Sequence, residues 1–363
     1  MKQMVMVVDQ TVDEALRLGA SIATLKLMGP FLKKYSIENA DVSLSHLKRY
    51  GVSLEQTLLL PLLRCKINPS FAEIDQVRQM GFSKIVINWL HQPGNLLLDQ
   101  LTNALIAIQR FAKEIYLCIE NASEFSVSDL ACYWPLIPRY QVKRFIYQDQ
   151  GSAIDPFIAC EKMDLLQRVI PCPVEFHGHN AYGLATANSL AALRSGIRYV
   201  ATAVSGIGLP NHAPMEEVLM AVKHLWKQDQ VPSGGSLAKD CMQILAAMGI
   251  SLPVDKALIG RDVFAHESGI HVDGITKNPS LYEVIRPEEV GQTRQLIIGK
   301  HSGTASLKIK FSQWNLELDQ AQALQMLEKV RRIASLQKSP LSDLQLHQLY
   351  WTRHDMAQRQ VGS

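Results

Sequence analysis

Short apolar runs recur along the first 253 residues, each followed by a stretch with helical punctuation. This alternation constrains the fold more than any other feature. The runs are Val5–Val8, Val42–Leu44, Thr57–Leu60, Lys84–Asn88, Ile115–Ile119, Arg144–Tyr147, Val174–His177 and Tyr199–Val204. Between them, Ser70-Phe71-Ala72-Glu73 reads as a capping box, Asp155-Pro156 as an N-cap with proline in the first turn, and Gly183 to Gly196 as the bounds of another helix. Eight strands alternating with helices predict an α/β fold, a TIM (β/α)8 barrel. The competing doubly wound open sheet usually carries a Gly-rich turn after its first strand; here Val8 leads into Asp9-Gln10-Thr11. Beyond Pro253 the alternation stops, and Leu316–Lys338 shows apolar residues at helical spacing. The expected organisation is a barrel over 1–253, a smaller, mainly helical C-terminal subdomain over 254–352, and a frayed tail over 353–363.

Composition narrows the partners. The chain of 363 residues is 47% hydrophobic and 20% charged, which excludes disorder. Its 37 basic and 34 acidic residues are interspersed, so neither a nucleic-acid footprint nor a polybasic membrane anchor is expected. No apolar stretch reaches a membrane span of about 18–20 residues, and the run before Asp9 is too short for a signal-peptide core. The six cysteines include no Cys-x-x-Cys pair and read as reduced core residues. A cytoplasmic protein is expected.

In a TIM barrel the reactive groups lie at the C-terminal strand ends. Asp9, Glu120 with Asn121, Asp149, His177 with His179, and Ser205 all follow or close a strand run. His177 and His179 stand at i and i+2 and so face one side, about 6–7 Å apart along the chain. Two neutral imidazoles so placed suit a divalent metal; two partly exposed loop histidines are the competing reading. His266-Glu267-Ser268-Gly269-Ile270-His271 is not a His-Glu-x-x-His zinc motif, because its second histidine comes one position late. Lys300-His301-Ser302-Gly303 is either an anion-binding helix start or a turn.

These motifs resemble those of the 2-isopropylmalate synthase/homocitrate synthase family. Glu175-Phe176-His177-Gly178-His179-Asn180 with the residues up to Ala187, Phe264–Gly274, Ile298–Gly303, Ala213–Val218 and Asp155-Pro156-Phe157 occur in the family's order. The resemblance runs from about Glu120 to about Leu344. The short tail is closest to homocitrate synthases of the type that supplies nitrogenase cofactor assembly. The resemblance implies an acyltransferase, dimeric, that condenses acetyl-CoA with a 2-oxo acid at a divalent metal (Mg²⁺, Mn²⁺ or Zn²⁺), with 2-oxoglutarate giving homocitrate. It implies metal ligation by His177 and His179, catalytic roles for Glu120, His271 and Tyr282, and substrate contacts from Asp9, Asp149, Gln150 and Ser205.

The N-terminus departs from the family's Asp-Thr-Thr-Leu-Arg-Asp-Gly-Glu-Gln. Aligned on Asp9 and Thr11, arginine becomes Asp13 and the metal-binding aspartate becomes Glu14, which keeps an oxygen donor; the other register puts Arg17 at the arginine and Leu18 at the ligand, and neither keeps both functions. The family's Gly-Glu-Arg-Ala-Gly-Asn-Ala-Pro is here Gly208-Leu209-Pro210-Asn211-His212-Ala213-Pro214, with Asn211 taken as the remaining ligand. Gln150 replaces a threonine. Losing one charge-stabilising donor costs about 100- to 1000-fold in rate. Three readings therefore stay open: an active synthase acting as a homodimer, a weak or inactive paralogue serving as a partner subunit in a heteromer, and a metal-dependent aldolase or lyase. The motifs after Phe264 belong to the condensing branch and argue against the third.

Overall fold

The computed structural model describes residues 4–50, 59–92, 98–228, 231–232, 235–267 and 283–361. The chain forms two compact units, one of residues 1–233 and 239–252, the other of residues 234–238 and 253–363.

The first unit is a closed parallel barrel of eight strands in sequence order. They are β1 (Met6–Asp9), β2 (Asn39–Ser43), β3 (Leu63–Ile67), β4 (Lys84–Trp89), β5 (Glu114–Ile119), β6 (Val142–Asp149), β7 (Val174–Gly178) and β8 (Tyr199–Thr202). β1 closes the cylinder against β8, with Met6 opposite Tyr199 and Asp9 opposite Thr202. Helices return the chain between strands, and their starts follow the expected chemistry. The Ser70 hydroxyl accepts from the Glu73 N–H, and the Asp155 carboxylate accepts from the Ile158 N–H at the head of Pro156–Val169.

One strand lies elsewhere than expected. Leu60 opens a short 3-10 turn, Leu60–Leu62, and the third strand is Leu63–Ile67. Of the run Thr57–Leu60, Thr57 and Leu58 lie outside the described residues. The segment Leu-Arg-Cys-Lys-Ile hides its strand character because its inward positions carry Arg64 and Lys66. Alternation normally marks such charged positions as solvent-facing.

Arg64 is fully buried inside the cylinder. Its guanidinium donates to both Asp41 oxygens and to both Glu175 oxygens, at 2.7–3.0 Å. Arg144 donates to Glu175 Oε2 at 2.8 Å. The Arg64 and Arg144 guanidinia lie 4.6 and 5.4 Å from the centroid of the Tyr116 ring. Two cations and two anions thus fill a barrel layer that would otherwise be apolar. Such a group is tolerated only because each charge is paired and hydrogen-bonded. Since residues at i and i+2 share a side, Lys66 and His177 stand one step above Arg64 and Glu175, toward the C-terminal mouth.

The second unit packs Thr304–Ser312, Gln320–Gln337 and Asp343–Val361 around Ile298, Leu307, Phe311, Met326, Val330 and Leu346. Asp319 and Gln322 form a reciprocal capping box at the head of the middle helix. The last helix runs over Asp343–Val361. Ala265–His266 pairs with Gln295–Leu296, and the Glu267 carboxylate accepts from the His301 N–H at 2.8 Å. The motif Lys300-His301-Ser302-Gly303 is therefore a turn tied to Glu267 ahead of a helix. No described helix is long and apolar enough to cross a membrane.

Candidate metal and substrate site

Three buried histidines meet at the barrel mouth. His177 stands one residue before the end of β7, His179 directly follows the strand, and His212 lies on the segment after β8; one ring nitrogen from each lies within 4.8 Å of the others. His177 Nε2 and His212 Nδ1 face each other at 3.1 Å. The His177 and His179 rings stack with centroids 4.7 Å apart. His179 Nδ1 lies 3.0 Å from the Asp149 carbonyl oxygen, the partner that fixes a ligating imidazole's tautomer and leaves Nε2 free.

The backbone around His212 is built to hold it. His179 and His212 form an antiparallel bridge, and the Asn180 N–H donates to the Asn211 carbonyl at 2.8 Å. Gly206 and Gly208 have φ of +70° and +151°, and a Cβ on either would come within 2.7 Å of His212 atoms. Glycine is thus required at both positions, by conformation and by space.

Burial pushes all three imidazoles below the usual histidine range, with the Lys66 charge acting in the same sense; His177 and His212 lie well below it. Neutral rings keep a lone pair available. A donor set of three neutral imidazoles fits a divalent cation of the zinc class.

The acidic residues of the N-terminal segment are engaged elsewhere. Asp9 closes β1 fully buried and accepts from Thr11 Oγ1 at 2.6 Å and the Val12 N–H at 3.0 Å; burial pushes its carboxyl up to about 6. Asp13 accepts from the Ser43 N–H and hydroxyl at 2.6 and 2.7 Å, and lies 2.9 Å from His46 Nδ1 and 3.7 Å from Lys66 Nζ. Burial alone would raise its carboxyl, but Lys66, His46 and the Ser43 N–H hold it down at about 2. Glu14 is paired with Arg17 at 2.6 Å. Glu14 does not join the histidine group, and Asn211 has an exposed side chain; His212, its neighbour, stands there instead. Of the expected ligands Glu14, His177, His179 and Asn211, the two histidines share one ligand-atom cluster, with His212. Counting back from Ala213-Pro214 to the family's Asn-Ala-Pro would have found His212.

The remaining expected residues are spread around the mouth. Glu120 follows β5 and is half-buried; burial raises its carboxyl, with Lys66 opposing. Asp149 closes β6, with Oδ1 accepting from the Ala153 N–H and Oδ2 buried without a hydrogen-bond partner among the described residues. Gln150 is exposed in the following turn. Ser205 takes a left-handed conformation, φ 56°, and its N–H donates to Glu216 Oε2 at 2.9 Å. His271 and Tyr282 lie outside the described residues. Sequence reasoning passed over Lys66, whose ammonium donates to Gln10 Oε1 at 3.1 Å.

An HMGL-like family model matches residues 83–238, and a homocitrate synthase post-HMGL domain-like model matches residues 258–338. The 2-isopropylmalate synthase 2 of Caldanaerobacter subterraneus is 38% identical over 70% of this chain and 66% of its own length. Homocitrate synthase 1 of a Nostoc species is 37% identical over 62% of this chain and 59% of its own. The chain belongs to the 2-isopropylmalate synthase/homocitrate synthase family. It spans less than two thirds of the length of either of these relatives. Among solved structures, a hydroxymethylglutaryl-CoA lyase from Pseudomonas aeruginosa superposes with a TM-score of 0.53 at 14% identity, covering 69% of this chain and 95% of the lyase. That likeness is one of fold.

Proposed function

We propose that this chain is an acyltransferase that condenses acetyl-CoA with a 2-oxo acid, 2-oxoglutarate first among them to give homocitrate, at a divalent cation held by His177, His179 and His212. The observation that carries this reading is the convergence of three buried imidazoles at the mouth of a barrel belonging to the synthase family. When bound, the cation supplies Lewis acidity toward the ketone of the oxo acid. Asp149 orients His179 through its carbonyl oxygen, and its buried Oδ2 is an acceptor without a partner among the described residues. Glu120, with its carboxyl raised by burial, removes a proton from the acetyl methyl group. Lys66 supplies the positive charge toward the oxygen that becomes negative, the part the family's arginine plays. Asp9, Gln150 and Ser205 shape the substrate pocket. His271 and Tyr282, from the motif they match, assist proton transfer in a cytoplasmic homodimer.

The test is free CoA release from acetyl-CoA, with the purified chain, Zn²⁺, Mn²⁺ or Mg²⁺, and 2-oxoglutarate, 2-oxoisovalerate or pyruvate in turn. Thiol release with one oxo acid, and the matching hydroxy diacid or triacid by mass spectrometry, supports the reading. Background release with every oxo acid and cation overturns it. One observation favours a second reading, a catalytically weak paralogue acting as a partner subunit: both residues at the family's Arg-Asp positions are bound up in local ion pairs. That reading predicts background release alone and a changed rate on mixing with an active relative.

A further inference from the structure

We infer that His212 converts the cation site of this chain into an all-imidazole centre that selects zinc-class cations over magnesium. The inference rests on the same three histidines as the proposed function, and it concerns which cation they take rather than which reaction follows. Magnesium is a hard ion that takes oxygen ligands and keeps much of its water, whereas imidazole suits Zn²⁺, Co²⁺ and Ni²⁺.

Three features of the chain remove oxygen donors and leave nitrogen. First, Glu14, which occupies the position of the family's liganding aspartate, is held by Arg17 at 2.6 Å. Second, Asp13 is taken by Ser43, His46 and Lys66. Third, where the family's Asn-Ala-Pro would offer an amide oxygen, His212-Ala213-Pro214 offers a ring nitrogen. His212 is 6% exposed; a Cβ on Gly208 would run into its ring, and one on Gly206 into its backbone carbonyl and Pro214. One pair of the three nitrogens, all within 4.8 Å of one another, is already spaced for such an ion. Two ligands at about 2.0–2.1 Å on adjacent corners of a zinc tetrahedron lie about 3.3 Å apart, and His177 Nε2 and His212 Nδ1 lie 3.1 Å apart. Three protein nitrogens leave a further position open to a small molecule, the arrangement of catalytic rather than structural zinc.

The experiment strips the full chain with a chelator and titrates it with Zn²⁺ against a chromophoric zinc indicator, and with Mg²⁺ by calorimetry. Co²⁺ replacement adds a visible spectrum that reports nitrogen coordination directly. The expected result is one equivalent of zinc bound at least 1000-fold more tightly than magnesium. H212N, which restores an amide oxygen, should weaken zinc by about 100-fold or more, since loss of even an outer partner of a ligand costs 10–100-fold. Comparable affinities for the two ions, or a folded H212N that binds zinc as tightly as the parent, would overturn the inference. If H212N does not fold, the zinc-to-magnesium ratio and the Co²⁺ spectrum of the unaltered chain decide alone. Tight zinc binding without CoA release would refute the proposed reaction and leave this inference standing; CoA release supported by Mg²⁺ with weak zinc binding would do the reverse.

Discussion

Asp13 Oδ2 lies 3.7 Å from Lys66 Nζ, joining the helix after β1 to the inward face of β3. The same carboxylate accepts from Ser43 and lies within 2.9 Å of His46. Asp13 is therefore a structural anion, and restoring the family's residues at positions 13 and 14 should not recover a family-like site. The double replacement D13R/E14D sets a guanidinium beside Lys66 and His46. It should lower stability by about 3–5 kcal/mol, the scale for breaking a buried charged pair, as measured by urea unfolding.

The Asp13–His46 pair sets a pH window. Asp13 is depressed to about 2 from an ordinary 3.8, so its contribution is present above about pH 4 and is lost as pH falls through 2. His46 is raised, chiefly by its hydrogen bond to Asp13, so its charged contribution is present below the ordinary histidine range and is lost as pH rises through its raised value. A double-mutant cycle of D13N and H46Q should show larger coupling at pH 5 than at pH 9. Equal coupling at both would mean that the imidazolium charge plays no part.

The buried quartet makes a sharper stability prediction. R64M leaves Asp41 and Glu175 without their main cation in the barrel interior. It should cost about 3–5 kcal/mol. Chemical denaturation of R64M beside a surface control, R168M, separates this from a general charge effect; R168 is exposed and its pair with Asp164 lies within one helix turn. A loss below about 1 kcal/mol would show that water replaces the guanidinium inside the barrel.

Two replacements divide the chemical roles at the mouth. E120Q should lower kcat by about 100- to 10,000-fold with little change in KM, and should remove the acidic limb of the pH profile. K66M should lower kcat by about 100- to 1000-fold through loss of one preorganised charge. Zinc affinity should stay level or rise in K66M, because the Lys66 charge opposes positive charge on all three histidines. Weaker zinc binding in K66M would place the lysine among the supports of the cation site instead.

Much of this architecture is legible in the sequence, and the exceptions share one cause. The barrel follows from alternation, and His177 with His179 follows from i, i+2 geometry at the end of β7, because local periodicity survives folding. The third strand is illegible because Arg64 and Lys66 point inward, where their charges are matched by Asp41, Glu175 and Asp13 from two strands and a helix distant in the chain. His212 is equally hidden. It reaches His177 across 35 residues, through the pairing of β7 with β8 and the bridge between His179 and His212.

The most direct measurement is anomalous diffraction at the zinc edge from crystals of the chain grown with Zn²⁺ and 2-oxoglutarate. The account predicts one zinc peak bounded by His177, His179 and His212, with oxo-acid density at its open side and Glu14 still on Arg17. A zinc peak on other residues, or one that draws Glu14 in while His212 turns away, would contradict it.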